Sequence, residues 1–170
     1  MKKALLITAA VLLYAVSFSQ TTIKFKGKDF VVAGKSAGAI KGKNDNPVSY
    51  ECYWDINPET KTITGTTVQT FKNDVAGDGK DIEVRRGLLS DLNLELLDTG
   101  IQEDTLMFSN TVYPVSLYTK ENQNLVKSWS CFRFSKGDKL EATDNVWNIQ
   151  VVFARKEDAQ AFIQTVKSIK

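Results

Sequence analysis

The chain has 170 residues, of which 42% are apolar and 25% are charged, and its formal net charge is +2. This size and composition are typical of one globular domain with a hydrophobic core. The sequence contains no histidine, which excludes serine–histidine catalysis and most zinc sites because both depend on an imidazole.

The first residues have the pattern of a secretory signal peptide. Two lysines follow Met1, residues 4–16 are almost entirely apolar, and small serine residues precede Gln20. The apolar run is shorter than the roughly 20 residues of a membrane-spanning helix, and no cysteine stands directly after it for lipid attachment. We expect a signal peptide at residues 1–19, a single exported β-rich domain at residues 20–170, periplasmic or extracellular, and no stable membrane anchor. A retained anchor is the alternative.

The charge balance argues against a nucleic-acid partner. The chain carries 22 basic and 20 acidic residues, and loss of Lys2 and Lys3 with the signal peptide would leave equal numbers. Lysines are concentrated at residues 20–43 and acids at residues 44–121. Since nucleic-acid binding needs an uncompensated basic face, we expect the two segments to lie across one another instead.

The expected domain begins with two short candidate strands, Thr22–Lys26 and Asp29–Ala33. The next stretch contains the sequence GKS at residues 34–36, which imitates the end of a phosphate-binding loop. The first glycine of such a loop would stand five residues before Gly34, and that residue is Asp29. A flexible, glycine-rich connection is the better interpretation.

Alternation of apolar and polar residues is clearest in Val48–Ile56, where Tyr50, Cys52 and Trp54 share one face. The turn sequence NPETK separates this strand from a threonine-rich one at Thr62–Phe71, which predicts a β-hairpin. The remaining candidate strands are Asp81–Arg86, Asp91–Leu97, Asp104–Ser109, Val112–Thr119, Ser128–Ser135 and Val146–Phe153.

The end of the chain has helical periodicity, with acids in the first turn and lysines in the last. The apolar residues that recur at spacings of three and four are Ala159, Phe162, Ile163, Val166 and Ile169. The preceding strand would pack Trp147 and Ile149 against this helix. We expect a mainly β (α+β) fold, an antiparallel sheet or barrel closed by one C-terminal helix.

The sequence DTG at residues 98–100 follows two leucines and resembles the active-site signature of aspartic proteases. Such an enzyme needs two carboxylates that share a proton, and the sequence has one such motif. The family also places two apolar residues before a downstream glycine, whereas polar residues precede Gly137. We expect Asp98 to lie in a turn between strands at Leu97 and Thr105. A carboxylate-dependent hydrolase using Asp98 is the alternative.

The acidic segment NDVAGDGKDIEVR matches a calcium loop only in part. With Asp74 at position one, position three is Ala76 and position twelve is Arg85, where calcium loops carry carboxylates. A polar hairpin loop fits the residues better. We expect no metal and no cofactor.

The two cysteines are Cys52 and Cys131, and an exported chain with two cysteines is a candidate for a disulfide. Cys52 falls on the apolar face of its strand, whereas Phe132 and Phe134 indicate that Cys131 points the other way. We expect a Cys52–Cys131 disulfide, with two half-buried free thiols as the alternative.

Aromatic residues at strand spacing, among them Trp54, Trp129 and Trp147, would form either a filled core or the walls of an apolar cavity. The sequence names no catalytic residue with a partner. It therefore predicts a non-catalytic exported β-domain that binds a small apolar ligand or an envelope component.

The signal-peptide assignment makes a direct prediction about processing. The exported protein should begin at or near Gln20, because the small residues before it fit the cleavage site of a signal peptidase. Intact-mass measurement of the exported protein tests this expectation, and a product that retains Met1 would contradict it.

Overall fold

The computed structural model describes residues 21–25, 28–32, 34–43, 48–72, 77–99, 101–106, 108–136 and 139–169. Only the backbone is described for residues 21–25, 28–32, 98–99 and 139. The expected signal peptide and its cleavage site lie outside the described residues.

The described chain is dominated by antiparallel strands. The strands and the helix are β1 (Thr21–Phe25), β2 (Lys28–Val32), β3 (Lys35–Lys41), β4 (Ser49–Asn57), β5 (Thr62–Phe71), β6 (Gly79–Leu88), β7 (Tyr113–Tyr118), β8 (Val126–Phe134), β9 (Lys139–Val146), β10 (Asn148–Phe153) and α1 (Lys156–Ser168). Three short 3-10 helices span Leu89–Asp91, Leu94–Thr99 and Lys120–Asn122. Six strands form one sheet in the order β3-β4-β5-β6-β8-β9, and β1-β2 and β7-β10 form separate pairs. The predicted mainly β class with a C-terminal helix is confirmed, and the large sheet is open because its edge strands do not pair with each other.

The central hairpin of β4 and β5 forms as predicted, with Ile56 opposite Ile63. Its turn is fixed by Asn57, whose side-chain oxygen accepts hydrogen bonds from the backbone N–H groups of Glu59 and Thr60 at 2.9 and 3.0 Å. Lys61 completes the turn with a φ of 51°. Asparagine favours such turns because its side chain can replace a backbone acceptor.

The chain changes sheets at Trp147. β9 pairs with β8 as far as Val146, and β10 then crosses one face of the large sheet, which we call the inner face, and contacts β3, β4, β5 and β6. The crossing is close, since a Cβ atom at Gly65 would lie 2.8 Å from Cγ2 of Ile149. At the far end, the N–H of Ala154 donates to the carbonyl of Ala37 at 3.1 Å. A bend that moves one strand between two sheets is typical of orthogonal sheet packing.

The main core lies between the inner face, the β7–β10 pair and α1. Phe162 of α1 is fully buried, and its ring centroid lies 4.9 Å from that of Trp54 and 5.3 Å from that of Phe153. Ile149 and Val151 of β10 are buried in the same cluster. The predicted packing of the helix on this strand is therefore present, because the helix contacts both β7 and β10.

Trp147 was expected beside Ile149 in this core, and that expectation is wrong. The indole is 44% exposed and stacks on Tyr118, with 5.1 Å between the ring centroids and 17° between the ring planes. The physical reason is the bend between β9 and β10, which interrupts the alternation at Trp147 and turns its side chain out of the core.

Two predicted strands are also wrong. The segment Asp91–Leu97 lies largely in the 3-10 helix Leu94–Thr99, and the described residues of Asp104–Ser109 contribute only isolated bridges, at Asp104 and Phe108. Leucines in this region are buried at spacings of three and five, as in Leu89, Leu92 and Leu97. The spacing of three between Leu89 and Leu92 fits the three-residue turn of a 3-10 helix rather than a strand.

Strands β3 and β9 were not predicted as strands. β3 begins at Lys35 of the GKS sequence, where a flexible connection is predicted, and it carries a bulge between Ser36 and Gly38, where Gly38 has a φ of 120°. Both are edge strands with many exposed side chains. Their hydrogen bonds to β4 and β8 stabilise them, and apolar alternation contributes little.

Phe162→Ala is expected to lower the free energy of unfolding by roughly 3–5 kcal/mol, because the substitution removes a buried ring and leaves a cavity. Gln164→Ala, on the exposed side of the same helix, is the matched control and should change it by less than about 0.5 kcal/mol. Urea unfolding followed by circular dichroism measures both. Equal, small effects would show that α1 is not an integral part of the core.

Candidate functional site

A groove of about 740 Å³ lies between the C-terminal end of α1 and the first two 3-10 helices. We call it the helix groove. Its floor is apolar, formed by Leu89, Leu92, Leu94, Val166 and Ile169. Leu89, Leu92 and Val166 are also members of the main core. The groove is therefore an extension of the core to the surface.

Lysines dominate the charged rim of the helix groove. Lys61, Lys120 and Lys167 line it, and Glu95 is the acidic residue among the lining side chains. Lys120 is held in place because its ammonium group donates to the carbonyl of Ser90 at 2.8 Å. The rim thus carries a net positive charge over an apolar floor, an arrangement that suits a ligand with an anionic end and an apolar body.

Backbone hydrogen bonds fix the wall of the groove. The N–H of Leu89 donates to the carbonyl of Lys61 at 2.9 Å, and the N–H of Asn93 donates to the carbonyl of Tyr118 at 2.8 Å. These contacts tie the leucine-rich segment to the β4–β5 turn and to β7. The lysines of the rim come from three distant parts of the chain, so no local sequence motif predicts that they line one groove.

Two half-exposed apolar side chains are chain neighbours of groove residues. They are Leu88 (45% exposed) and Leu96 (44%). Leu88 precedes Leu89, and Leu96 shares a 3-10 helix with Leu94. Isolated exposed leucines need no explanation, but a group of them beside an apolar cavity is typical of a binding surface.

A second cavity of about 290 Å³ lies between the inner face and the β7–β10 pair. We call it the inner cleft. It is lined by Tyr50, Gly65, Thr67, Gln69, Glu83, Arg85, Asp104, Phe108, Pro114, Gln150 and Val152. The inner cleft is mainly polar, in contrast to the helix groove.

Arg85 and Glu83 organise the floor of the inner cleft. Nε of Arg85 donates to Oε1 of Glu83 at 2.9 Å, and Nη1 of Arg85 donates to Oδ1 of Asn148 at 2.6 Å. The same Glu83 oxygen accepts a hydrogen bond from the Ser128 hydroxyl at 3.1 Å. Glu83 and Arg85 therefore compensate each other's charge, and both groups are held by additional partners.

Two titratable groups of the inner face have displaced pKa values. Burial raises the pKa of the Asp81 carboxyl, and repulsion from Glu83 adds to the rise. Burial also raises the pKa of the Tyr50 hydroxyl, with smaller contributions from Cys52 and Asp81. The Tyr50 hydroxyl is thus kept protonated, and the region disfavours further negative charge.

Asp98 lies near the end of the 3-10 helix Leu94–Thr99. The predicted turn between two strands is wrong, since neither flanking segment is a strand. The hydrolase hypothesis for Asp98 stays a hypothesis. For the calcium interpretation, Asp74 lies outside the described residues, and Arg85 belongs to the inner cleft. Over the described ranges, no group of three cysteine, aspartate or glutamate side chains is arranged to hold a metal ion.

Both cysteines are buried free thiols, so the expected Cys52–Cys131 disulfide is not formed. Cys52 on β4 is opposite Thr67, whereas Cys131 on β8 is opposite Ile82. Strands β5 and β6 separate them, which places the two residues roughly 14 Å apart across the sheet, and a disulfide needs Cα atoms within about 7 Å. Burial raises the pKa of the Cys52 thiol, and Nε of Arg133 donates to Sγ of Cys131 at 3.3 Å.

No known protein family matches the chain, and no curated protein or solved structure is significantly similar to it. Among the helices that the structure describes, none is long and apolar enough to cross a membrane. The helix groove and the inner cleft are therefore the observations from which function is argued.

Asp81→Asn should reveal the cost of burying an ionised carboxylate beside Glu83. The raised pKa means that the folded protein holds the Asp81 proton more tightly than the unfolded chain does. The stability contributed by protonated Asp81 is therefore fully present below pH 3.8, the ordinary pKa of this carboxyl. It is lost as the pH rises through the raised pKa of the folded protein. We expect the variant to be more stable than the wild type at pH 7.

This gain in stability should shrink as the pH falls below 3.8, where Asp81 is protonated in both states. Urea unfolding of both proteins at neutral and acidic pH measures the difference. A gain of the same size at both pH values would show that charge on Asp81 is not the cause.

Proposed function

We propose that this protein is a non-catalytic exported binding domain that takes up a single-chain carboxylate amphiphile, such as a fatty acid, in the helix groove. One observation supports this above the others, namely an apolar floor continuous with the core under a rim of three lysines. The apolar chain would lie along the leucines, and the carboxylate would meet the lysine ammonium groups.

The energetics favour such a ligand. Each methylene group moved from water to the groove floor contributes about 0.8 kcal/mol, so the acyl chain supplies most of the affinity. A rim lysine facing solvent contributes roughly 0.2–1 kcal/mol to an ion pair. The lysines therefore select an anionic head group, and the floor provides the affinity. The volume of about 740 Å³ falls within the roughly 300–1,000 Å³ of small-molecule sites.

An envelope component is the proposed source of this ligand. Export would place the domain beside membrane lipids, and the half-exposed Leu88 and Leu96 are chain neighbours of the groove residues Leu89 and Glu95. The half-exposed side chains would receive the acyl chain before it enters the groove.

Binding of a fluorescent dodecanoate analogue tests the groove. Leu94→Asp should weaken binding by at least about tenfold, because it places a like charge and a polar group on the apolar floor. Leu106→Asp, at an exposed position outside the groove, makes the same chemical change and should have no effect. Equal affinities in all three proteins would exclude the groove as the site.

The head-group assignment has its own test. Lys61→Glu should weaken dodecanoate binding by roughly two- to fivefold, the loss expected for one partly solvated ion pair. Lys127→Glu, an exposed charge reversal on β8 away from the groove, is the matched control. Binding of dodecanol, which has no charge, should be unchanged in both. A loss of dodecanol affinity equal to that of dodecanoate would mean that Lys61 acts on the groove shape and not on the head group.

A further inference from the structure

We propose that the inner cleft is a second binding site, for one unit of a neutral, polyhydroxylated ligand such as a sugar ring. This proposal does not depend on the helix groove, since the two cavities have no lining residue in common. The inner cleft is also too small and too polar for an acyl chain.

The walls of the inner cleft come from three parts of the fold. β5 and β6 supply Thr67, Gln69 and the Arg85–Glu83 pair, β10 supplies Gln150 from the opposite side, and the connection before β7 supplies Asp104. A ligand between the two sheets would thus be contacted from both sides. At about 290 Å³, the space stands at the lower end of small-molecule sites, which limits the ligand to roughly one ring.

The polar groups of the cleft offer donors and acceptors together. The amides of Gln69 and Gln150 each provide both, and the hydroxyl of Thr67 does the same. Nε2 of Gln150 is oriented by a hydrogen bond to the Ser116 hydroxyl at 3.2 Å. Since every sugar hydroxyl is also a donor and an acceptor, vicinal hydroxyls can pair with these groups without leaving a buried polar atom unsatisfied.

The Arg85–Glu83 pair favours a neutral ligand, and Asp104, the remaining charged side chain of the lining, accepts a hydrogen bond from the backbone N–H of Leu106 at 2.7 Å. The Glu83 carboxylate already accepts hydrogen bonds from Arg85 and Ser128. The positive charge of Arg85 already balances the charge of this carboxylate. A ligand cation would compete with Arg85, and a ligand anion would meet Glu83 and Asp104. Burying an additional unpaired charge is costly, whereas a neutral hydroxyl group can join the existing pair.

An aromatic corner provides a surface for the ring itself. Tyr50 and Phe108 meet edge to face, with 5.1 Å between their centroids and 67° between their planes, and both line the cleft. The C–H face of a sugar ring is apolar enough to pack on an aromatic side chain. The protonated Tyr50 hydroxyl adds a donor at this corner.

Titration of the isotope-labelled protein with methyl glucoside, methyl galactoside and methyl N-acetylglucosaminide, followed by amide NMR shifts, tests the proposal. We expect saturable shifts for the backbone amides of Thr67, Gln69 and Gln150 with at least one glycoside. Gln69→Leu and Thr67→Val, which keep the size of each side chain, should each weaken binding by about three- to tenfold. Gln160→Leu, on the exposed side of α1, is the matched control.

The same spectra report whether each variant is folded, so loss of binding is distinguished from loss of structure. Propylammonium and acetate serve as charged probes of similar size. Absence of saturable shifts with all three glycosides, stronger binding of either charged probe, or full affinity in both cleft variants would overturn the proposal.

Discussion

The close crossing of β10 over the inner face at Gly65 is the constraint on which the rest of the structure depends. A side chain at this position would meet Ile149 at 2.8 Å, and the second sheet would then be held away from the first. Because β10 lies so close, Ile149 and Val151 enter the main core, and β7 and α1 can pack behind them. The contact at Ala154 and Ala37 anchors the other end of the crossing strand.

The crossing also divides the inner face into an apolar and a polar region. Along β6 the residues that face inward run from Gly87, which is packed against Val126 and Ile149, to Arg85, Glu83 and Asp81. The apolar end joins the core. The charged end is covered only in part by the β7–β10 pair, so its polar groups satisfy one another and leave the inner cleft between the two sheets.

The helix groove arises from a different local property, the leucine-rich segment after β6. Read as a strand, this segment would place its leucines on two opposite faces. In 3-10 geometry Leu89 and Leu92 point into the core together, and the neighbouring Leu94 is left at the surface of the groove. The short range of the 3-10 hydrogen bonds cannot enforce this geometry alone. The backbone hydrogen bonds of this segment to Lys61 and Tyr118 hold it in this geometry.

The sequence by itself determined the β4–β5 hairpin, most of the other strands, the mainly β class and the amphipathic helix. Alternation and three- to four-residue spacing are local patterns, and each directly places apolar side chains on one buried face. It did not determine β3 and β9, which are stabilised as edges by their neighbours, or the bend that exposes Trp147. The separation of Cys52 and Cys131 and the meeting of Lys61, Lys120 and Lys167 also follow from tertiary structure alone. Each depends on strand order or on contacts between distant segments, and the local spacing of residues in the sequence predicts neither.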